Sequence, residues 1–153
     1  MPTTNAIKTI LFTSIKQWFV DAAAGSTYVC PIDAENVLDH ATTPDEDGGA
    51  NWCILATKPT YYQDHSMDSK RLVSRFDIHL FSRFDIEIEA SKAAAETWLN
   101  DAEEMIIEAI TSEPANPSNW FSIMPEQVPV RNGMHEFWQK YQVSTILVLV
   151  RKK

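Results

Sequence analysis

The stretch 70–83, KRLVSRFDIHLFSR, decides the fold class. Leu72, Ser74, Phe76, Ile78 and Leu80 fall on one side of an extended chain. Arg71, Val73, Arg75, Asp77, His79 and Phe81 fall on the other. Period two with one apolar face and one mostly polar face predicts a strand with a core beneath it. Residues 84–89 (FDIEIE) prolong the alternation.

Both flanks of this strand predict helix. After it, residues 91–110 (SKAAAETWLNDAEEMIIEAI) set Ala95, Trp98, Leu99, Ala102, Ile106, Ala109 and Ile110 on one stripe, with Met105 at its edge. Glu96, Asp101, Glu103, Glu104 and Glu108 make the wet side, and Ala93–Ala95 adds helix propensity. Before it, residues 4–24 place Ile7, Ile10, Leu11, Ile15, Trp18, Phe19 and Ala22 at helical offsets. Thr3 or Thr4 is the expected cap and Gly25 the expected stop.

The remaining segments read as short strands and loops. Residues 27–32 (TYVCPI) predict a strand cut by Pro31, and Trp52–Thr57 a strand ended by Pro59. Residues 39–51 (DHATTPDEDGGAN) have nothing to pack and predict an exposed acidic loop. Asp45, Glu46 and Asp47 lack the alternating spacing and distal glutamate of a calcium loop. Residues 113–119 (EPANPSN) break the second helix. Trp120–Met124 predicts a short strand, and Asn132-Gly133 a turn. Residues 134–151 predict a long strand or two strands with a bulge. Its end, QVSTILVLV (142–150), is apolar on both faces, as in a central strand or one covered by a neighbouring subunit.

The order helix, strands, helix, strands predicts an α+β fold: an antiparallel or mixed sheet with two main helices packed on one face. With 153 residues the chain is expected to form one domain with a full core. Two cysteines, Cys30 and Cys53, are too few for a disulfide scaffold. No basic leader precedes an apolar stretch and no apolar run reaches spanning length, so a soluble protein in a reducing compartment is expected.

Thirteen Lys and Arg stand against twenty-one Asp and Glu, a net charge of −8. Such a surface repels a phosphate backbone and argues against sequence-independent nucleic-acid binding. The charge is uneven. Eight acidic residues lie in 33–68 and nine in 85–113, whereas 71–83 carries three arginines and one aspartate. Opposed patches of this kind suit complementary surfaces in an assembly, although solvated faces have the same composition.

Motifs for chemistry are sparse. No glycine-rich phosphate loop, nucleophile elbow or paired-histidine zinc motif occurs. The histidines, His40, His65, His79 and His135, have no partner at ligand spacing. Arg75, Asp77 and His79 share a strand face and form the one polar row that an enzyme or ligand-binding domain would use. A solvated or interface-facing strand reads the same way. No metal, cofactor or catalytic residue is assigned. Cys30 and Cys53 read as buried small hydrophobes. Trp18 and Trp98 belong to helix stripes. Trp52, Trp120 and Trp138 lie near loops or strand ends and suit either a core or a protein interface. With Arg71, Arg75 and Arg83 they are the candidate contacts for a second subunit or partner.

The opening helix 4–24, the strand RLVSRFDIHLFSR (71–83) leading into the acidic alanine-rich helix 91–110, and the final strand YQVSTILVLVR (141–151) together resemble the tail terminator proteins of long-tailed bacteriophages. The resemblance spans nearly the whole chain. It implies a virion structural protein, assembled in the host cytoplasm, that forms a ring, usually a hexamer, on the last ring of the tail tube. There it would stop polymerisation and join the tail to the head connector. Implied partners are further copies of itself, the tail tube protein, the head–tail connector or neck protein, and the tail sheath, with no membrane. DNA would slide through an acidic lumen without specific binding. The alternatives are another neck or tail-completion protein, or a small α+β enzyme working from the Arg75, Asp77 and His79 face.

Overall fold

A computed structural model of the chain describes residues 3–25, 27–40, 42, 49–66, 69–85, 87–112, 120–125, 130–135 and 138–152. At 61–66, 69–71, 112, 120–125, 130–135, 138–140 and 151–152 this description is of the backbone alone. The fold is α+β. In chain order come helix α1 (Thr4–Ala24), a 3-10 turn (Ala34–Asn36), strands β1 (Val37–Leu38), β2 (Asn51–Ser66) and β3 (Ser69–Arg83), helix α2 (Glu89–Ser112), and strands β4 (Trp120–Pro125), β5 (Val130–His135) and β6 (Trp138–Lys152).

The six strands form one sheet in the order β1-β2-β3-β6-β4, with β5 also paired to β6. Only the two-residue β1 runs parallel to its neighbour; the other pairings are antiparallel, so the sheet is mixed. The register stacks cross-strand rows. Cys53, Leu80 and Ser144 make one, Leu55, Ile78 and Ile146 the next, and Thr57, Phe76 and Val148 a third.

The apolar members of these rows join the buried stripe of α1 (Ile7, Leu11, Ile15, Trp18, Phe19) and that of α2 (Trp98, Leu99, Ala102, Met105, Ile106, Ile110) in one core. The helix stripes are therefore as the sequence spacing predicts, except that Ile10 stands 37% exposed. Phe19 and Trp98 stack across the two helices at 6.4 Å between ring centroids. Thr3 caps α1 by accepting the Ala6 N–H at 3.1 Å. Gly25 ends it with its N–H on the Asp21 and Ala22 carbonyls, from an ordinary negative φ. Thr4 Oγ1 lies 3.0 Å from Ser74 Oγ, tying the start of α1 to β3.

Several expectations need correction. Residues 27–32 are not a strand. Their polar groups are taken by side chains: Asp101 Oδ2 accepts the Val29 N–H, and the Pro31 carbonyl accepts from Trp98 Nε1 (2.8 Å) and Asn51 Nδ2 (3.0 Å). The segment is a strap tied to α2 and to the start of β2, with the Val29 N–H and the Pro31 carbonyl given to side chains and not to a ladder.

Pro59 does not end β2, which continues to Ser66. The register shifts between Lys58 and Tyr61, so Pro59 sits in a bulge where no N–H is required. It also lies past Ile54, where the pairing of β2 with β1 stops. The alternation after Arg83 does not become strand, because Asp85 Oδ1 accepts the Glu87 N–H in a tight turn. Asn132-Gly133 is not the reversal either. The register shifts between Arg131 and Gly133, so the pair forms a bulge within β5, whose His135 pairs with Trp138 of β6.

Of the two expectations for 134–151, the single long strand gives way to two strands: the end of β5 and the strand β6. As expected for its composition, β6 is central, lying between β3 and the β4 and β5 edge. Of the predicted acidic loop 39–51, residues 41 and 43–48, including Asp45, Glu46 and Asp47, lie outside the described residues, as does the break at 113–119.

Candidate functional site

The sheet face away from the helix core was expected to be mostly polar. It is largely buried. Register places Trp52, Phe81 and Val143 in one row and Ile54, His79 and Thr145 in the next. Ala56, Asp77 and Leu147 follow, then Lys58, Arg75 and Leu149. Trp52, Ile54, Phe81, Tyr141 and Val143 form a second, smaller core cluster with Leu38 against it. Phe81 meets Tyr141 edge to face at 6.3 Å. Val73, on the same strand face, is also fully buried.

Asp77 sits in the middle of this face with its side chain only 8% exposed. Its Oδ2 lies 3.3 Å from Lys58 Nζ and 4.0 Å from His79 Nε2. Its Oδ1 is buried and has no hydrogen-bond partner among the described residues. The other ring nitrogen of His79, Nδ1, lies 2.9 Å from Thr145 Oγ1. Burial holds the His79 pKa below its ordinary value. Asp77 opposes that shift and Lys58 adds to it, so the ring is neutral at neutral pH.

The row Thr145, His79, Asp77 has the composition of a hydroxyl, base and carboxylate series. Its geometry is incomplete. The carboxylate is beyond hydrogen-bond range of the ring, and Thr145 is itself only 9% exposed.

The other cavities have different linings. A groove of about 310 Å³ between the end of α1 and α2 is lined by Trp18, Asp21, Gly25, Tyr28, Met105 and Glu108. Within it the Tyr28 hydroxyl donates to Glu108 Oε2, and that hydrogen bond is the main cause raising the phenol to about 12. A depression of about 230 Å³ is lined by Pro31, Asp33, Gly49 and Asn51. Neither cavity includes Asp77 or His79. The cysteines are buried and free. Desolvation pushes the Cys30 thiol up to about 11, with Asp101 adding to it, and raises fully buried Cys53 further. Neither is an activated nucleophile. No group of metal-ligating side chains occurs among the described residues.

The proposed contact residues separate. Trp52 is 6% exposed and donates its Nε1–H to the Gly49 carbonyl at 2.8 Å, so within this chain it is a core residue. Arg75 is half-buried beside Lys58 and Leu149. Arg83 ends β3 opposite Tyr141 and donates its backbone N–H to the Ala50 carbonyl. Arg71 lies opposite Gln63, beyond the point where β3 pairs with β6. Trp120 opens β4 opposite Lys152, and Trp138 opens β6 opposite His135; their side chains lie outside the described residues.

Sequence reasoning missed two features. Lys58 joins the Asp77 row only because the β2–β3 register sets it one row away. Among the described residues the outer edge of β2 is paired only at Cys53 and Ile54, because β1 has two residues, and no residue pattern announces that.

Among the described residues no helix is long and apolar enough to cross a membrane. No family model matches the chain, and no curated protein matches it.

Proposed function

We propose that this chain is a self-associating structural subunit of a virion, forming a ring that closes the head-proximal end of a phage tail tube and joins it to the connector. One observation carries the reading. The β2–β3 hairpin runs from the Asn51–Ser82 pair to the Ser66–Ser69 pair, but β6 accompanies β3 only from Val73 to Arg83. The hairpin therefore outruns the sheet as an arm. A projecting two-stranded arm is marginal by itself and gains stability by lying on another surface. A contact between an arm and a different part of the next copy is heterologous, and closing such contacts by rotation makes a ring. The element order helix, strands, helix, strands, on which the sequence resemblance rests, supports the same reading.

Native mass measurement and negative-stain imaging of the purified protein, alone and mixed with tail tubes, test it. Rings and capped tubes of uniform length are the expected result. A monomer at all concentrations that leaves tubes growing would refute it.

A second reading rests on the Thr145, His79 and Asp77 row with its unpartnered carboxylate oxygen. It makes the chain a small hydrolytic enzyme, and it requires turnover of an activated ester that His79→Gln abolishes.

A further inference from the structure

The sheet sorts charge by its two ends. From the middle of the sheet to its arm end, register sets Lys58 opposite Arg75, Lys70 opposite Asp64, Arg71 opposite Gln63, Arg151 opposite Val73 and Lys152 opposite Trp120. Six of the thirteen Lys and Arg of the chain thus lie between the middle of the sheet and its arm end, on the three adjacent strands β2, β3 and β6. Among the described residues on those strands, the carboxylates interspersed with them are Asp64 and Asp77.

The opposite end is acidic. It lies where Asn51 pairs with Ser82 and where Arg83 bonds Ala50. A Cβ on Gly49 would lie 2.6 Å from Asp33 Oδ2, which places Asp33 beside the start of β2, with Glu35 next to it in the 3-10 turn. Asp85 and Glu87 turn the chain just past β3, and Glu89 opens α2. All five carboxylates are exposed, against Arg83 and Lys92, and Lys92 already pairs with Glu89 at 3.1 Å. At roughly 3.3 Å of rise per residue, the seven-residue step from Asn51 to Lys58 sets even the nearest of these basic residues ~23 Å from the acidic end. That exceeds the Debye length at physiological salt, so each end acts on its surroundings as a separate field.

We infer that the basic arm end of one subunit seats against the acidic end of the next copy, making the charged sheet ends the ring interface. This rests on the ring reading and names the surfaces that build it. A second copy is the occupant because its own acidic end carries the complementary charge. An end-to-end two-fold contact would oppose like charges. A head-to-tail contact satisfies both ends of every subunit and leaves none over once the ring closes. The net charge of −8 and the interspersed Asp64 disfavour a nucleic-acid backbone at the arm.

The test uses two charge-reversed variants of the full chain, Lys70→Glu/Arg71→Glu and Glu87→Lys/Glu89→Lys, followed by mass photometry and sedimentation. Alone, each variant opposes like charges, and the concentration for half-assembly rises by at least about tenfold, since each exposed pair contributes modestly. Mixed one to one, the reversed basic end of one variant faces the reversed acidic end of the other, and rings of alternating subunits return. That restoration also shows that both variants are folded. Wild-type rings weaken as salt rises to about 1 M, where charges are screened within about 3 Å. Rings indifferent to both reversals and to salt would overturn the interface while leaving the ring reading standing. Restoration of dimers only would overturn the head-to-tail arrangement. A wild-type protein that stays monomeric would remove both.

Discussion

Asp77 is a buried carboxylate with one oxygen on Lys58 and, among the described residues, no hydrogen-bond partner for the other. An unsatisfied buried acceptor weakens the isolated chain, because its desolvation is not offset. Lys58, with its side chain 44% exposed, can return to water if its partner is lost. Asp77→Leu is therefore expected to raise stability by about 1 kcal/mol in urea unfolding. A loss of several kcal/mol would show that the carboxylate has a structural partner.

His79 gives a pH dependence. Its folded pKa lies below the ordinary value of 6.5, so between the two the unfolded chain holds more protons. Stability from this residue is fully present above about 6.5 and falls as pH drops towards the folded value. His79→Gln flattens that part of the profile, measured by denaturant unfolding at a series of pH values.

At the scale of elements, Asn51 is the knot between strap, hairpin and sheet. Its Oδ1 accepts from Ser82 Oγ at 2.7 Å, its Nδ2 donates to the Pro31 carbonyl, and its own carbonyl accepts from Asn36 Nδ2. Ser82 and Asn36 are each 2% exposed. Asn51→Ala removes both side-chain bonds, leaves Ser82 without this acceptor, and is expected to cost about 2–3 kcal/mol in thermal unfolding. Pro59 blunts the outer edge of β2. Pro59→Val restores a donor there, and the expected outcome is faster light-scattering growth on concentration at unchanged helix content.

Both helices and β3 were legible because their periodicity is set by a single core that they share. Residues 27–32 were misread because β propensity is silent about side chains arriving from Trp98, Asn51 and Asp101. The hairpin turn was assigned to Asn132-Gly133 because that dipeptide serves a bulge as readily as a turn. The Arg75, Asp77 and His79 row was visible from strand parity, but the cluster that buries its neighbours depends on Trp52, Tyr141 and Val143 arriving from two other strands.

For the whole molecule, one core joins α1, α2 and the inner sheet face, so helix and sheet should be lost together. Far-ultraviolet dichroism and tryptophan fluorescence are expected to report coincident unfolding transitions. If rings form, the midpoint temperature rises with protein concentration, since association stabilises only the folded subunit.

The position of β6 has a bearing on biosynthesis. The strand that fills the gap between β3 and the far edge leaves the ribosome after all the strands it must join. Until it emerges, β3 presents a bare, apolar flank, and the nascent polypeptide can only wait, sheltered by chaperones or exposed to its neighbours on the same message. Closure of the sheet thus waits on β6, the last of its strands to be made.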